Sequence, residues 1–242
     1  RRGLRALFGL AASALILVVF IVPALLRGSA ALLVALVGTA AVAYLALYLA
    51  HGITPPTTVA LAGTLASLVV IAMLSVPVGA VAHLSGLSDE AAQTIRVTAG
   101  SIDLRGLLIA GFVLGALGVL DDVTVTQVST VQALLRANPS MPRRDLYREA
   151  THVGRDHIAS TVNTLVLAYA GASLPLLLYF AEGTAPVGRL LTRELVAVEI
   201  IRMLVGSIGL ILSVPVTTGL AAAVLTPAHA AAGHGHSHGP DT

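Results

Sequence analysis

The chain has no cysteine, no lysine and no tryptophan among its 242 residues, and only 11% of it is charged. The missing cysteine excludes disulfides, thiol nucleophiles and thiolate metal sites. All 14 basic side chains are therefore arginine, which reflects coding bias more than chemistry. The missing tryptophan removes the strongest interfacial anchor of membrane helices. The shortage of charge is the most informative lack, because a soluble domain typically carries about 25% charged residues. A net charge of +2, with no basic-aromatic stripe, leaves no footprint for nucleic acid.

What is present is apolar. Hydrophobic residues make up 56% of the chain, and the mean hydropathy is +0.91. Several apolar runs reach the roughly 18 residues that mark a membrane span. The expected fold class is all-α, a polytopic transmembrane helix bundle of about six spans. They fall at about 6–26, 30–50, 57–82, 104–135, 159–180 and 195–224. Arg27-Gly28 and the turn HGITPP (51–56) punctuate the first three. Arg1, Arg2 and Arg5 precede the first span, and Arg136, Arg143, Arg144, Arg148 and Arg155 follow the fourth. By the positive-inside rule both groups are cytoplasmic, which gives an N-in/C-in topology. The stretch SDEAAQTIRV reads as a short amphipathic helix outside, capped by Ser88. Residues 136–158 are expected to carry a polar cytoplasmic helix continuous with span five, and 227–242 a disordered, His-rich cytoplasmic tail.

Polar residues inside the apolar spans are the candidate site. Gly111, Gly115, Gly118, Asp122, Thr126 and Ser129 recur at helical spacing along span four. The glycines would admit a neighbouring helix, as in G-x-x-x-G packing. Asp122 would then face the interior, with Asp121 about 100° further round. A second geometry breaks the span near 121–124, because Thr124 and Gln127 fit the capping box S/T-x-x-E/Q. Span five offers Asp156, Ser160 and Asn163, and span six Glu199 and Arg202 followed by Gly206, Gly209, Ser213 and Thr217. These stripes suggest one polar interior shared by spans four, five and six. Oxygen ligands of this kind suit protons, sodium or divalent cations. Equally, the same groups could pair with one another and only lock the bundle.

Other chemistries fare worse. An intramembrane aspartyl protease needs two facing carboxylates, and neighbours on one helix point apart. No G-x-S-x-G elbow supports serine hydrolysis, so a non-enzymatic protein is expected. His234, His236 and His238 could hold a metal only loosely on a Gly-rich tail. The repeated tetrapeptide SVPV, at 75–78 and 213–216, hints at inverted halves. A four-residue match in so biased a chain is expected by chance.

The segments IDLRGLLIAG (102–111), GALGVLDDVTVTQVSTVQ (115–132), GRDHIASTVNTLVLAYAGASLPLLL (154–178) and ELVAVEIIRMLVGSIGLILSVPVTTGLAA (194–222) resemble the YibE/F-like family of bacterial multi-pass membrane proteins. The resemblance implies a bacterial plasma-membrane location and a six-span core, with an upstream anchor and small extracytoplasmic domain in the full-length protein. It brings no activity, substrate or cofactor. The functions expected are a permease-like component with a cation or proton site, or a non-transporting scaffold whose buried polar groups lock helix packing.

Overall fold

The computed structural model describes residues 2–87, 90–98, 102–175, 178, 181 and 194–231. Every regular element among the described residues is a helix. Helix α1 (Arg2–Ile16) continues through a π-helical segment (Leu17–Ile21) into α2 (Val22–Leu26). Then come α3 (Ala31–His51), α4 (Pro55–Val81), α5 (Glu90–Thr98), α6 (Leu104–Ala137), α7 (Arg143–Ala172), α8 (Glu194–Val224) and α9 (Pro227–Ala231).

The helix ends follow from local chemistry. Gly52, at φ 79°, ends α3 in the left-handed region that glycine tolerates. Two residues on, the Thr54 hydroxyl accepts from Thr57 N at 3.3 Å and Pro55 occupies the first helical position of α4. Outside the helices, Glu194 at the start of α8 accepts from Ser85 N (2.7 Å), Gly86 N (2.8 Å) and Ser85 Oγ (2.7 Å). That carboxylate latches the turn after α4 to α8. Gly86 has φ 76°, and a Cβ there would run into the Leu104 carbonyl.

At the centre, α4, α6 and α8 pack on one another. Their directions can be read from paired residues. Thr64 meets Thr124 and Gly79 meets Ile109, so α4 and α6 run antiparallel. Gly63 meets Thr217 and Gly209 meets Ile71, so α4 and α8 are antiparallel too. The pairs Phe112–Arg202 and Gln127–Thr218 make α6 and α8 parallel. Around this kernel, α7 lies against α8 and α6, α3 against α6, and α1 against α3. Gly38 lets α3 receive Ile21 from the π-helical segment.

Five helices are long and apolar enough to cross a membrane: Leu7–Leu26, Ala31–His51, Pro55–Val81, Leu104–Ala137 and Glu194–Val224. The expected fifth span does not qualify as described. Its helix α7 begins with the charged stretch RRDLYREATHVGRDH, and most of 176–193 lies outside the described residues. Helix α6 is unbroken through 121–124. The alternative capping box at Thr124 does not form, because Thr124 Oγ1 donates to Asp121 O at 3.2 Å and pairs with Thr64. Pro77 and Pro215 both sit inside helices. Their SVPV repeats mark no equivalence of halves, since α6 is central where α1 is peripheral.

The tail departs from the expected disorder at its start. Residues Pro227–Ala231 form α9, with proline at the first position and Thr226 N donating to His229 Nδ1 at 3.3 Å. The Ser88 cap and residues His234, His236 and His238 lie outside the described residues.

Gly209→Ala would push a methyl into Ile71, which is fully buried. It is expected to destabilise the detergent-solubilised protein by about 1–3 kcal/mol, the usual penalty of overpacking. Gly118→Ala, with nothing within 4 Å of the new Cβ, should hold or raise the thermal midpoint, since alanine favours a helix interior over glycine. Melting curves of the two variants check both outcomes.

Candidate functional site

Helix α6 carries two stripes at helical spacing, and packing selects between them. The bundle buries Val113, Ala116, Leu117, Leu120, Val123, Thr124 and Gln127. The stripe Gly111, Gly115, Gly118, Asp122 and Ser129 is exposed, and Thr126 lies half-buried at its edge. Asp122 therefore points away from the helix bundle, against the expectation that it faces the interior, and of the two candidate aspartates it is Asp121 that turns toward it. The large side chains win the interior because they give more close contacts than glycine can.

Asp121 sits near the midpoint of α6. Its Oδ1 is buried without a hydrogen-bond partner, and the Thr64 hydroxyl of α4 lies beside the carboxyl group. Thr64 and Thr124, both 0% exposed, share a hydrogen bond of 2.8 Å. Among the described residues no ion pair includes Asp121. Neither Asp121 nor Asp122 pairs with Arg202 among the described residues.

Arg202 has other partners. Its guanidinium reaches Glu199 at 3.0 and 3.3 Å within α8. It also lies 5.6 Å from the Phe112 ring centroid and 5.8 Å from that of Tyr169, within cation–π range. Phe112 precedes Asp121 by nine residues, about 14 Å of helix. The Glu199–Arg202 pair thus forms a separate site, nearer the start of α6 and α8.

On the other side of Asp121, Gln127 ties three helices together. Its Nε2 donates to Ala150 O of α7 and to Thr218 Oγ1 of α8, both at 2.7 Å. Thr218 in turn donates to Val214 O at 2.7 Å. Gly154 is needed for this approach, since a Cβ there would collide with Gln127 Oε1.

Two expected members do not join. Asp156 and Asn163 are exposed, because α7 turns Leu146, Ala150, Gly154, Ile158 and Leu165 toward the bundle. Span six matches expectation: Gly206, Gly209, Ser213 and Thr217 are all buried. The polar interior takes its remaining side chains from span three and not from span five. Thr64, Ser67 and Ser75 of α4 are buried, with Ser67 Oγ donating to Gly63 O at 2.8 Å. Their spacing was a readable signal, since Thr64, Ser67, Ile71 and Ser75 recur on one helical face. Among the described residues no group of three His, Cys, Asp or Glu could hold a metal ion. What the Asp121 site offers is one carboxylate with two hydroxyls, a donor set for a proton or a small hard cation.

The profile of a protein family described as YibE/F-like protein matches residues 1–227. Comparison with curated proteins and with solved structures gives no significant match.

The Gln127–Thr218 bond makes a double-mutant cycle informative. Gln127→Leu and Thr218→Val should each lower unfolding stability, with a coupling of about 0.5–1.5 kcal/mol, typical of interhelical hydrogen bonds in membranes. Additive losses would mean that the bond contributes nothing.

Proposed function

The chain belongs to the YibE/F-like family, and on that premise we propose that it is a permease-like, non-enzymatic component of a bacterial plasma membrane, with Asp121 as its proton- or cation-binding group. One observation carries this. Among the described residues the buried Oδ1 of Asp121, where the apolar first half of α6 ends, has no hydrogen-bond partner. An unpaired charge inside a membrane-spanning helix is costly, so groups of this kind usually have a task. Thr64 and Thr124 supply neutral oxygens at the same level.

The proposed topology has six spans with both termini cytoplasmic. In support, α6 and α8 run parallel with α4 opposed to both, as alternating spans four, six and three require. Helix α7 is antiparallel to α6 through the pairs Gly115–Tyr169 and Gln127–Gly154, as span five would be. The partners proposed are the lipid bilayer, a small ion or solute, and an upstream extracytoplasmic domain of the same protein. Nucleic acid is not among them.

A second reading has its own support. Gln127 locks α6, α7 and α8, which is what a non-transporting scaffold requires. The two separate at Asp121→Asn. In vesicles holding a pH-sensitive dye under an imposed potential or sodium gradient, the purified protein should give a cation-dependent signal. Asp121→Asn should abolish it while the thermal midpoint holds or rises, because an unpaired buried charge is removed. Asp122→Asn should keep it. A scaffold would show no cation-dependent signal in any of the three proteins.

A further inference from the structure

A cavity of about 530 Å³ opens between α7 and α8, away from the Asp121 site. One wall is cationic. Arg144, Arg148, His152 and Arg155 line it from α7, at steps of four, four and three that place them on one helical face. The other wall is apolar, formed by Ile211, Leu212 and Pro215 of α8, with Ile158 beyond Arg155 along α7. Ile211 and Leu212 are exposed.

The charges on the cationic wall are neutralised only in part among the described residues. Arg148 has Asp145 at 3.4 Å and Glu149 at 3.2 Å, all three well exposed. Among the described residues no carboxylate pairs with Arg144 or Arg155. Helix α8 adds no charged residue to the cavity. Like charges one turn apart on a helix repel, so the stripe favours an anion. A further polar group lines the cavity: the Thr151 hydroxyl, one turn before Arg155, is buried and has no hydrogen-bond partner among the described residues.

Both walls must be satisfied at once. A soluble anion has no use for Ile211, Leu212 and Pro215, and an apolar ligand has none for the arginines. A molecule with a phosphate at one end and hydrocarbon at the other fits both. Basic pockets between membrane helices are where acidic lipid headgroups bind. We propose that the α7–α8 groove is a binding site for an anionic phospholipid. Its phosphate lies against Thr151 and Arg155, Arg148 and Arg144 extend the positive field along the headgroup, and an acyl chain follows Ile211, Leu212 and Pro215. This site is independent of ion binding at Asp121.

The test is a lipid titration of the full chain in mild detergent, followed by native mass spectrometry. The probes are phosphatidylglycerol, phosphatidylcholine with the same acyl chains, and soluble glycerol phosphate. Phosphatidylglycerol should bind more tightly than phosphatidylcholine. R144Q/R155Q should remove that preference, at roughly fivefold weaker binding per arginine lost. R155K, which keeps the charge, should retain it. Both arginines are exposed, so the variants should keep the melting temperature of the lipid-free protein. Equal binding of the two lipids, or an R144Q/R155Q protein that still prefers phosphatidylglycerol, overturns the proposal. So does displacement of the lipid by an equal concentration of glycerol phosphate, which would make the groove a site for soluble phosphate compounds.

Discussion

Helices α4 and α8 come close because Gly63 and Gly209 leave room for Thr217 and Ile71. Lipid tails are as apolar as leucine, so helix association in a bilayer depends on such contact and not on exclusion of water. Once this pair is fixed, α6 packs against both, and the register of all three follows. Thr64 is then set opposite Thr124, and Gln127 within reach of Thr218. Any residue larger than glycine at 63 or 209 would separate the pair and loosen each polar contact that depends on it.

Within that frame the buried polar groups divide by how well they are satisfied. Gln127 donates twice across helix boundaries and serves architecture. Arg202 finds Glu199 one turn away and two rings for its face. Thr39, Ser67 and Ser75 return their hydroxyls to carbonyls of their own helices, which satisfies them without linking anything. Asp121 is different, with one oxygen left over at mid-helix. Thr217 Oγ1 and Arg202 Nε are likewise buried without a hydrogen-bond partner among the described residues, but of these three groups only Asp121 carries a negative charge that a proton or a cation would neutralise.

Helix α7 serves two environments along one length. Leu146, Ala150, Gly154 and Ile158 pack inward, while the arginines of its first half stand out from the bundle. The cavity beside α8 arises where these two regimes meet. An arginine-rich helix on an apolar bundle is stable only if its charges reach water, headgroups or counter-ions. The lipid site and the bundle packing are thus two consequences of the same amphipathic pattern.

The membrane class, the helical architecture and the turn at 51–56 are legible in the sequence, because length, apolarity, Gly52 and Pro55 act locally. The sequence also determined the inward stripe of span six, where Gly206, Gly209, Ser213 and Thr217 have no competing face. It resembled the YibE/F-like family in the segments that the family profile covers. The rotation of α6 was not legible. In a soluble helix polarity marks the outer face, but in a membrane helix both faces are apolar and small residues suit either. Asp121 and Asp122 are neighbours about 100° apart, and a modest rotation exchanges their roles. Packing settles which of the two faces inward, through the volumes of Val113, Leu117 and Leu120 fitting between α4 and α8. It likewise turned Asp156 and Asn163 outward and brought in Thr64 from a span whose polar residues are few. Shape complementarity between whole helices fixes such choices, and no single helix encodes it.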